Sequence, residues 1–560
     1  MNGMTQPCNL QSARQKANDF LAIAPQFMLG DLPTESQHPK TTNLSTWALN
    51  DLSHAVKIMR EVDCDALRLT LDRASDVLKL AHAMKATLEN GKRIYFVGCG
   101  ATGRLSLSLE VLWREHLGTR HAWSDSVRSL MAGGDVALVR SIENFEDHPE
   151  YGARMLEEAG FSEGDLLVAS TEGGETPYVI GAALHAPALS HQTHWFLFCN
   201  PTELLMNKLQ RSKEALSHPK LRAFNLSVGP MALSGSTRMQ ASTVLMLAAG
   251  TALFECLKTH PSYDSIEESI ASLLEHYGSL DVTPLSKFVV AESDAYKQGD
   301  RLIYETAAYG ITVMTDTTER SPTFSLSAFE NRMDPQAPAS LSYLCIPDAV
   351  SSEDAWLKLL KRAPRPLVGW ENYNDVGGPQ RLAGYNFSAD LPAWRASKDP
   401  NVRQQTFRIT RTVEGIEFKF GSLRSIFDNK NLSLLNEHLM LKMLLNTHST
   451  LVMGRMGRYH GNVMTCVRPS NFKLIDRTIR YIQMLLKHEG IQCYTYEDIC
   501  LKCFVELETA EVNEPIVLKV FERCKKKDEL TGASASDSSV CSDKKIYSPS
   551  TGRDASSSAT

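Results

Sequence analysis

Three stretches of this 560-residue chain put glycines and small hydroxyl residues where a backbone can close around an anion. The first is Val97-Gly98-Cys99-Gly100-Ala101-Thr102-Gly103-Arg104, which follows an apolar run at 94–97 and opens a helical pattern. Glycine lets the main chain approach a phosphate closely, and a helix start offers unpaired N–H groups at the positive end of its dipole. Gly100, Ala101, Thr102, Gly103 and Arg104 are therefore candidate phosphate contacts. Thr102 would supply a hydroxyl donor, and Arg104 a charge unless a structural ion pair takes it. The spacing is formally Gly-x-Gly-x-x-Gly, so a dinucleotide fold stays open, with Asp135 as a loose candidate for the ribose acid.

The second stretch, Ala169-Ser170-Thr171-Glu172-Gly173-Gly174-Glu175-Thr176-Pro177, again runs from strand through loop into helix, with Pro177 suited to a first helical turn. It nominates Thr171, Gly173 and Glu175, although a capped turn would look the same and Glu172 and Glu175 sit awkwardly beside a phosphate. The third, Gly229-Pro-Met-Ala-Leu-Ser234-Gly-Ser236-Thr-Arg238, adds Ser234 and Ser236 at another helix start, where hydroxyls also serve as caps. Loops at strand C-terminal ends converge on one crevice in an open α/β sheet. Together the three point to a polyhydroxylated, phosphorylated ligand.

The elements that must hold these loops follow from hydrophobic period. Apolar residues from Leu67 to Leu88 recur at helical spacing, and Asn90-Gly91 stops that helix. Strand-like runs are expected at 94–97, 129–132, 166–170, 194–199 and 224–228, with helices at 104–117, 135–159, 177–187, 202–216 and 234–278. A second series has strands at 301–306, 342–346, 366–369 and 407–412 and helices at 308–315, 352–362 and 432–447. Alternating strands and helices imply parallel sheets flanked by helices, an α/β fold in three layers.

Composition excludes other classes. A net charge of -6 gives no electrostatic case for nucleic acid or anionic membrane, and 43% hydrophobic with 22% charged residues is ordinary for a globular protein. The first thirty residues lack a signal-peptide pattern, and the longest apolar stretch, 244–256, is short for a membrane span. Of twelve cysteines only Cys500-Leu-Lys-Cys503 has ligand spacing, inside an apolar run that suits core better than metal. The chain reads as cytoplasmic, with no metal and no cofactor.

The three loops in this order resemble the sugar isomerase (SIS) module, and the chain is similar to two SIS families: N-acetylmuramic acid 6-phosphate etherase and the glucokinase regulatory protein. The strings that carry the resemblance include Ala132-Gly-Gly-Asp135, Glu143-Asn-Phe-Glu146-Asp147, Thr176-Pro-Tyr-Val-Ile180, Cys199-Asn-Pro201, Leu233-Ser-Gly-Ser-Thr-Arg-Met239, Gly461-Asn-Val-Met464 and Arg468-Pro-Ser-Asn471-Phe-Lys473-Leu474 with Arg477. The resemblance implies two SIS modules, 86–280 and 281–485, preceded by an N-terminal arm and helices at 1–85 and followed by a helical cap at 486–526. By composition, the polar first stretch, to about residue 40, reads as an arm or loosely attached segment and 527–560 as a disordered tail. It makes Thr102, Glu146, Thr171, Gly173, Lys473 and Arg477 sugar-phosphate contacts. Lys473 and Arg477, one turn apart, share a helix face.

By the same resemblance, the etherase's first acid falls at Leu112, where Glu110 is a poor stand-in on another helix face, and its second falls at Glu146. The etherase lysine after Arg238-Met239 is Gln240 here. The expectation is therefore a non-catalytic regulatory protein. It would bind a fructose 6-phosphate- or fructose 1-phosphate-type ligand, a phosphorylated hexose or amino sugar, and modulate a partner such as glucokinase. Two alternatives stand: a phosphosugar lyase of the etherase type with Glu146 catalytic, or an interaction protein with a vestigial sugar site. The second module's first loop, Glu305-Thr-Ala-Ala-Tyr-Gly310, has lost its glycine pattern and reads as scaffold.

Overall fold

The structure, a computed structural model, describes residues 10–526 apart from 28, 143, 468, 470 and 511–513. The expected tail at 527–560 lies outside the described residues, as do Glu143, Arg468 and Ser470 of the quoted strings.

Five strands make the first sheet: β1 (Ile94–Gly98), β2 (Val127–Met131), β3 (Leu166–Ser170), β4 (His194–Phe198) and β5 (Leu221–Asn225). All pair in parallel, in the order β2-β1-β3-β4-β5. β1, β3 and β4 are buried along their whole length, which is why they read as continuous apolar runs rather than alternating ones. β5 is an edge strand with Arg222 and Ala223 exposed, and it sits three residues earlier than its apolar run suggests.

The second sheet has β6 (Arg301–Glu305), β7 (Ser342–Cys345), β8 (Gln404–Arg411), β9 (Ile416–Phe420) and β10 (Leu423–Phe427), in the order β10-β9-β8-β6-β7. β7, β6 and β8 are parallel, and β8-β9-β10 is an antiparallel meander that extends the sheet. The strand expected at 366–369 is irregular chain. Its Leu367 N–H donates to the Gly377 carbonyl, and the Arg365 carbonyl accepts from Asp135 N–H, so this segment straps the second module to the first.

Several expected helices are shorter or divided. The periodic set from Leu67 to Leu88 spans two helices, Leu52–Leu71 and Ala74–Glu89. The stretch at 135–159 contains 3-10 turns before a helix at Pro149–Glu158; Gly133, Gly134 and Asn144 all have positive φ there. The stretch at 234–278 resolves into Gln240–Glu255 and Tyr263–Ser279, and that at 202–216 into Thr202–Lys208 and Gln210–Ser217. The N-terminal arm is docked rather than loose: Ala13, Ala17 and Phe20 of the helix Leu10–Ile23 are buried, and the Phe20 ring lies 6.2 Å from both Phe472 and Phe504.

One apolar core runs from the inner face of the first sheet to the second. At its centre is the helix Leu434–Arg455, buried without a break from Leu435 to Gly454 and so without a solvent-facing polar stripe. A smaller cluster around Tyr95, Phe161 and Tyr178 covers the outer face of the first sheet. The helices Phe472–His488, Tyr496–Leu507 and Ile516–Lys525 pack together as a helical C-terminal region, with Cys500 and Cys503 in its interior. Among the described residues no helix is long and apolar enough to cross a membrane, and no His/Cys/Asp/Glu group is spaced for a metal.

Candidate functional site

In the first sheet the strand order reverses direction between β1 and β3, the place where open α/β sheets hold their ligands. The first two loops leave the C-terminal ends of those two strands. Residues 99–104 and 171–176 therefore face one crevice, a relation that only strand pairing creates.

After β1 the chain turns at once into the helix Gly100–Leu117. A Cβ on Gly98 would lie 2.3 Å from the Thr102 carbonyl carbon, so only glycine permits the close approach, and Gly100 adopts φ +53. The Thr102 hydroxyl caps the turn: it accepts from Cys99 N–H at 2.9 Å and donates to Cys99 O at 2.8 Å. Its function is to shape the cradle, and the backbone amides of Gly100 and Ala101 are what the cradle presents.

Arg104 points elsewhere. It is buried, with Nη1 2.6 Å from Glu319 Oε1, Nε 3.1 Å from Thr318 Oγ1 and Nη2 3.2 Å from the Ala137 carbonyl, so its charge bridges to the second module. Glu110 also serves the module interface, taking Arg362 Nε at 2.9 Å, Arg365 Nη2 at 3.0 Å and the Ser129 hydroxyl at 2.5 Å. Leu112 is fully buried. Asp135 is held by Arg362 and the Arg365 N–H, which removes it as a ribose acid. Together with a strand order unlike that of dinucleotide folds, this disposes of the dinucleotide alternative.

In the second loop the Thr171 and Thr176 hydroxyls share a hydrogen bond of 3.0 Å. The Gly173 carbonyl accepts from Asn200 Nδ2 at 3.1 Å, and Asn200 also ties down Thr34. Glu175 is buried with Oε1 2.9 Å from Lys473 Nζ and Oε2 2.7 Å from Arg211 Nη2. Burial alone would raise the Glu175 carboxyl, but the charges of Lys473 and Arg211 outweigh it and hold the group at about 2. Glu172 lacks such partners. Burial, reinforced by the like charge of Glu319, pushes it up to about 8, and its Oε1 has no hydrogen-bond partner.

Glu146 and Lys473 close the crevice. Glu146 accepts from Asn471 Nδ2 at 3.1 Å and from the Cys99 thiol at 3.4 Å. Asn471 caps the helix Phe472–His488, which carries Lys473 and Arg477 inward. Burial works against the Lys473 charge, and Glu175 and Glu146 more than restore it. Arg477 is paired in a two-point fork with Glu35, at 2.8 and 2.6 Å.

The third loop enters from the side: Ser234 N–H donates to Asn462 O, Gly235 N–H to Thr34 O, and the Tyr481 hydroxyl to Ser234 O. The hydroxyls of Ser234 and Ser236 are buried with no partner, as is that of Ser170 at the end of β3.

The fold thus brings together Gly100, Ala101, Thr171, Gly173, Glu175, Glu146 and Lys473, with Ser234, Ser236 and Arg477 behind them, and turns Arg104 away. Sequence reasoning missed Arg211, Asn200 and Glu35. Asn200 lies in a quoted string, but Glu35 sits in the supposed arm and Arg211 on a helix of ordinary composition. In the second module the corresponding loop is filled by its own side chains: the Tyr309 hydroxyl bonds Glu437, which also pairs with Arg411 at 2.7 Å.

Residues 76–186 match the family model of the glucokinase regulatory protein N-terminal SIS domain. The chain is similar to the N-acetylmuramic acid 6-phosphate etherase of Rippkaea orientalis, with 30% identity over 265 residues, covering 46% of this chain and 81% of the relative. It is also similar to that of Thermosynechococcus vestitus, at 32% over 219 residues, 39% of this chain and 65% of the relative. Among solved structures, the tagatose-6-phosphate ketose/aldose isomerase from Escherichia coli aligns with a TM-score of 0.37 and 11% identity over 75% of this chain and 97% of its own, a likeness too distant to carry an inference.

Proposed function

This chain belongs to the N-acetylmuramic acid 6-phosphate etherase family, and from that premise we propose that its first module binds a phosphorylated sugar and breaks a carbon–oxygen bond in it. The observation that carries the reading is the set of buried, unpartnered atoms at and behind the β1/β3 crevice: the hydroxyls of Ser170, Ser234 and Ser236 and Oε1 of Glu172. Each unmet group costs roughly 1–3 kcal/mol, which a polyhydroxylated ligand can offset. Helix-start amides and Lys473 supply what a phosphate needs.

Elimination requires a base and an acid. Glu146, which already accepts two hydrogen bonds, takes the proton from the carbon next to a carbonyl. The electron pair left behind forms a double bond as the carbon–oxygen bond on the neighbouring carbon breaks. The departing oxygen keeps that bond's electrons and takes a proton from Glu172, which carries one at neutral pH. Glu172 in this way stands in for the acid missing at Leu112. The test is incubation with N-acetylmuramic acid 6-phosphate. Steady D-lactate release is expected from the wild type and its loss from Glu146→Gln with binding retained; lactate release undiminished in Glu146→Gln contradicts the assignment.

Leu112 favours a second reading, in which the same ligand is sensed rather than cleaved. A phosphorylated hexose of the fructose 6-phosphate kind would then stabilise one conformation and alter the grip on a partner, a hexokinase-type enzyme in the regulatory relative's manner. Binding without lactate release selects this reading. A kinase partner rests on likeness to one module only.

A further inference from the structure

The carboxylate of Glu175 stands just ahead of the helix Pro177–Leu189, between two cations. Arg211 holds the residue at two points, its carboxylate through Nη2 to Oε2 and its backbone carbonyl through Nε at 2.5 Å, whereas Lys473 contacts the carboxylate at 2.9 Å. The residue beside Lys473 in the chain, Phe472, packs away from the crevice against Phe20 and Phe27, and Asn471 binds Glu146, so the Lys473 ammonium is set between the second loop and the Glu146 side of the crevice. A ligand anion that reaches Lys473 there meets a negative group already on it. Like charges at contact distance repel strongly in a buried site, so the two cannot both keep the ammonium. Protonation does not free the position either, since the two cations keep Glu175 ionised down to about pH 2.

Resting on the phosphosugar reading above, we propose that Glu175 is a specificity-determining residue: an internal carboxylate that yields Lys473 to a doubly charged phosphate monoester and withholds it from singly charged sugar acids and sulfates. A phosphate monoester near neutral pH carries close to two charges and three strong acceptor oxygens. It therefore gains more from Lys473 and the adjacent helix start than Glu175 loses. A monoanion carries the same charge as the carboxylate it would displace and gains nothing by the exchange. Arg211, with its second contact to the Glu175 backbone, is the group that retains the displaced carboxylate, so the exchange does not strand a buried negative charge.

The experiment is calorimetric titration of the full chain with glucose 6-phosphate and glucose 6-sulfate. The wild type is expected to prefer the phosphate at least thirtyfold. In Glu175→Gln the sulfate should gain at least tenfold in affinity and the preference should shrink accordingly. A preference unchanged in the variant, or both ligands weakened by the same factor, overturns the proposal and leaves Glu175 a positioning residue for Lys473. If Glu175→Gln does not fold, Glu175→Asp replaces it: the shorter side chain cannot span both cations, so the preference falls part of the way, and an unaltered preference overturns the proposal. Wild type that binds neither ligand at millimolar concentration defeats the phosphosugar reading itself and this proposal with it. A wild type that binds phosphate and sulfate equally defeats this proposal alone.

Discussion

Glu110→Ala is expected to lower stability by about 3–5 kcal/mol in urea unfolding, the cost of removing one partner from a buried ion cluster. The carboxylate is 1% exposed and is shared by Arg114, Arg362 and Arg365, the last two from the strap that joins the second module to the first. Without it three guanidinium groups crowd together, with Asp135 and the exposed Asp125 as their remaining carboxylate partners among the described residues. The same group predicts a pH profile. Burial would raise its pKa, but Arg362 and Arg365 hold it at about 2 against an ordinary 4.5. A carboxyl depressed on folding contributes stability that is present above its unfolded pKa and is lost as pH falls through the folded one. Its share, on the order of 3 kcal/mol, should therefore disappear between pH 4.5 and 2. Glu292, likewise held at about 2 against burial by Arg320 and His448, adds to the same acid transition. Glu110→Gln should flatten the profile in that window, and an unchanged profile would contradict the assignment.

Lys473→Ala is expected to remove about 3 kcal/mol of phosphosugar affinity, roughly a hundredfold in Kd, as truncation of one partner of a buried charged contact does. The fold should survive, because Glu175 keeps Arg211. In a thermal-shift panel of hexose phosphates, the ligand that stabilises the wild type should then leave Lys473→Ala unshifted. Arg477→Ala should behave in the opposite way. Its fork belongs to Glu35, so the loss appears in the melting temperature of the free protein more than in the ligand-induced shift. A ligand shift that persists in Lys473→Ala would move the anion site away from this helix.

Much of this was legible in the chain because it is local. A glycine loop between an apolar run and a helical pattern announces a strand-to-helix turn, and three such loops announced the crevice. What determined the crevice, the reversal of strand order at β1 and β3, is a long-range pairing that periodicity does not encode. The side chains went astray for the same reason. Arg104 and Glu110 lie on a helix whose partners are 215 and 252 residues away, so their charges could be read but not their destinations. Thr102 turned inward because its hydroxyl reaches the backbone three residues back, a capping geometry that competes with ligand donation at any helix start. The docked N-terminal helix was hidden by its polar outer face, since only Ala13, Ala17 and Phe20 are buried. The run at 366–369 reads as a strand and the β9–β10 meander does not stand out, because short apolar segments do not distinguish a strand from an anchored loop.

Hydrogen–deuterium exchange with and without saturating hexose phosphate tests most directly whether the first-module crevice is the ligand site. Slower exchange is expected at residues 99–103, 171–176, 234–238 and 471–477, with the second module's loop at 305–310 unchanged. Protection confined to that second loop, or none in the first module under a ligand that raises the melting temperature, would contradict the site described here.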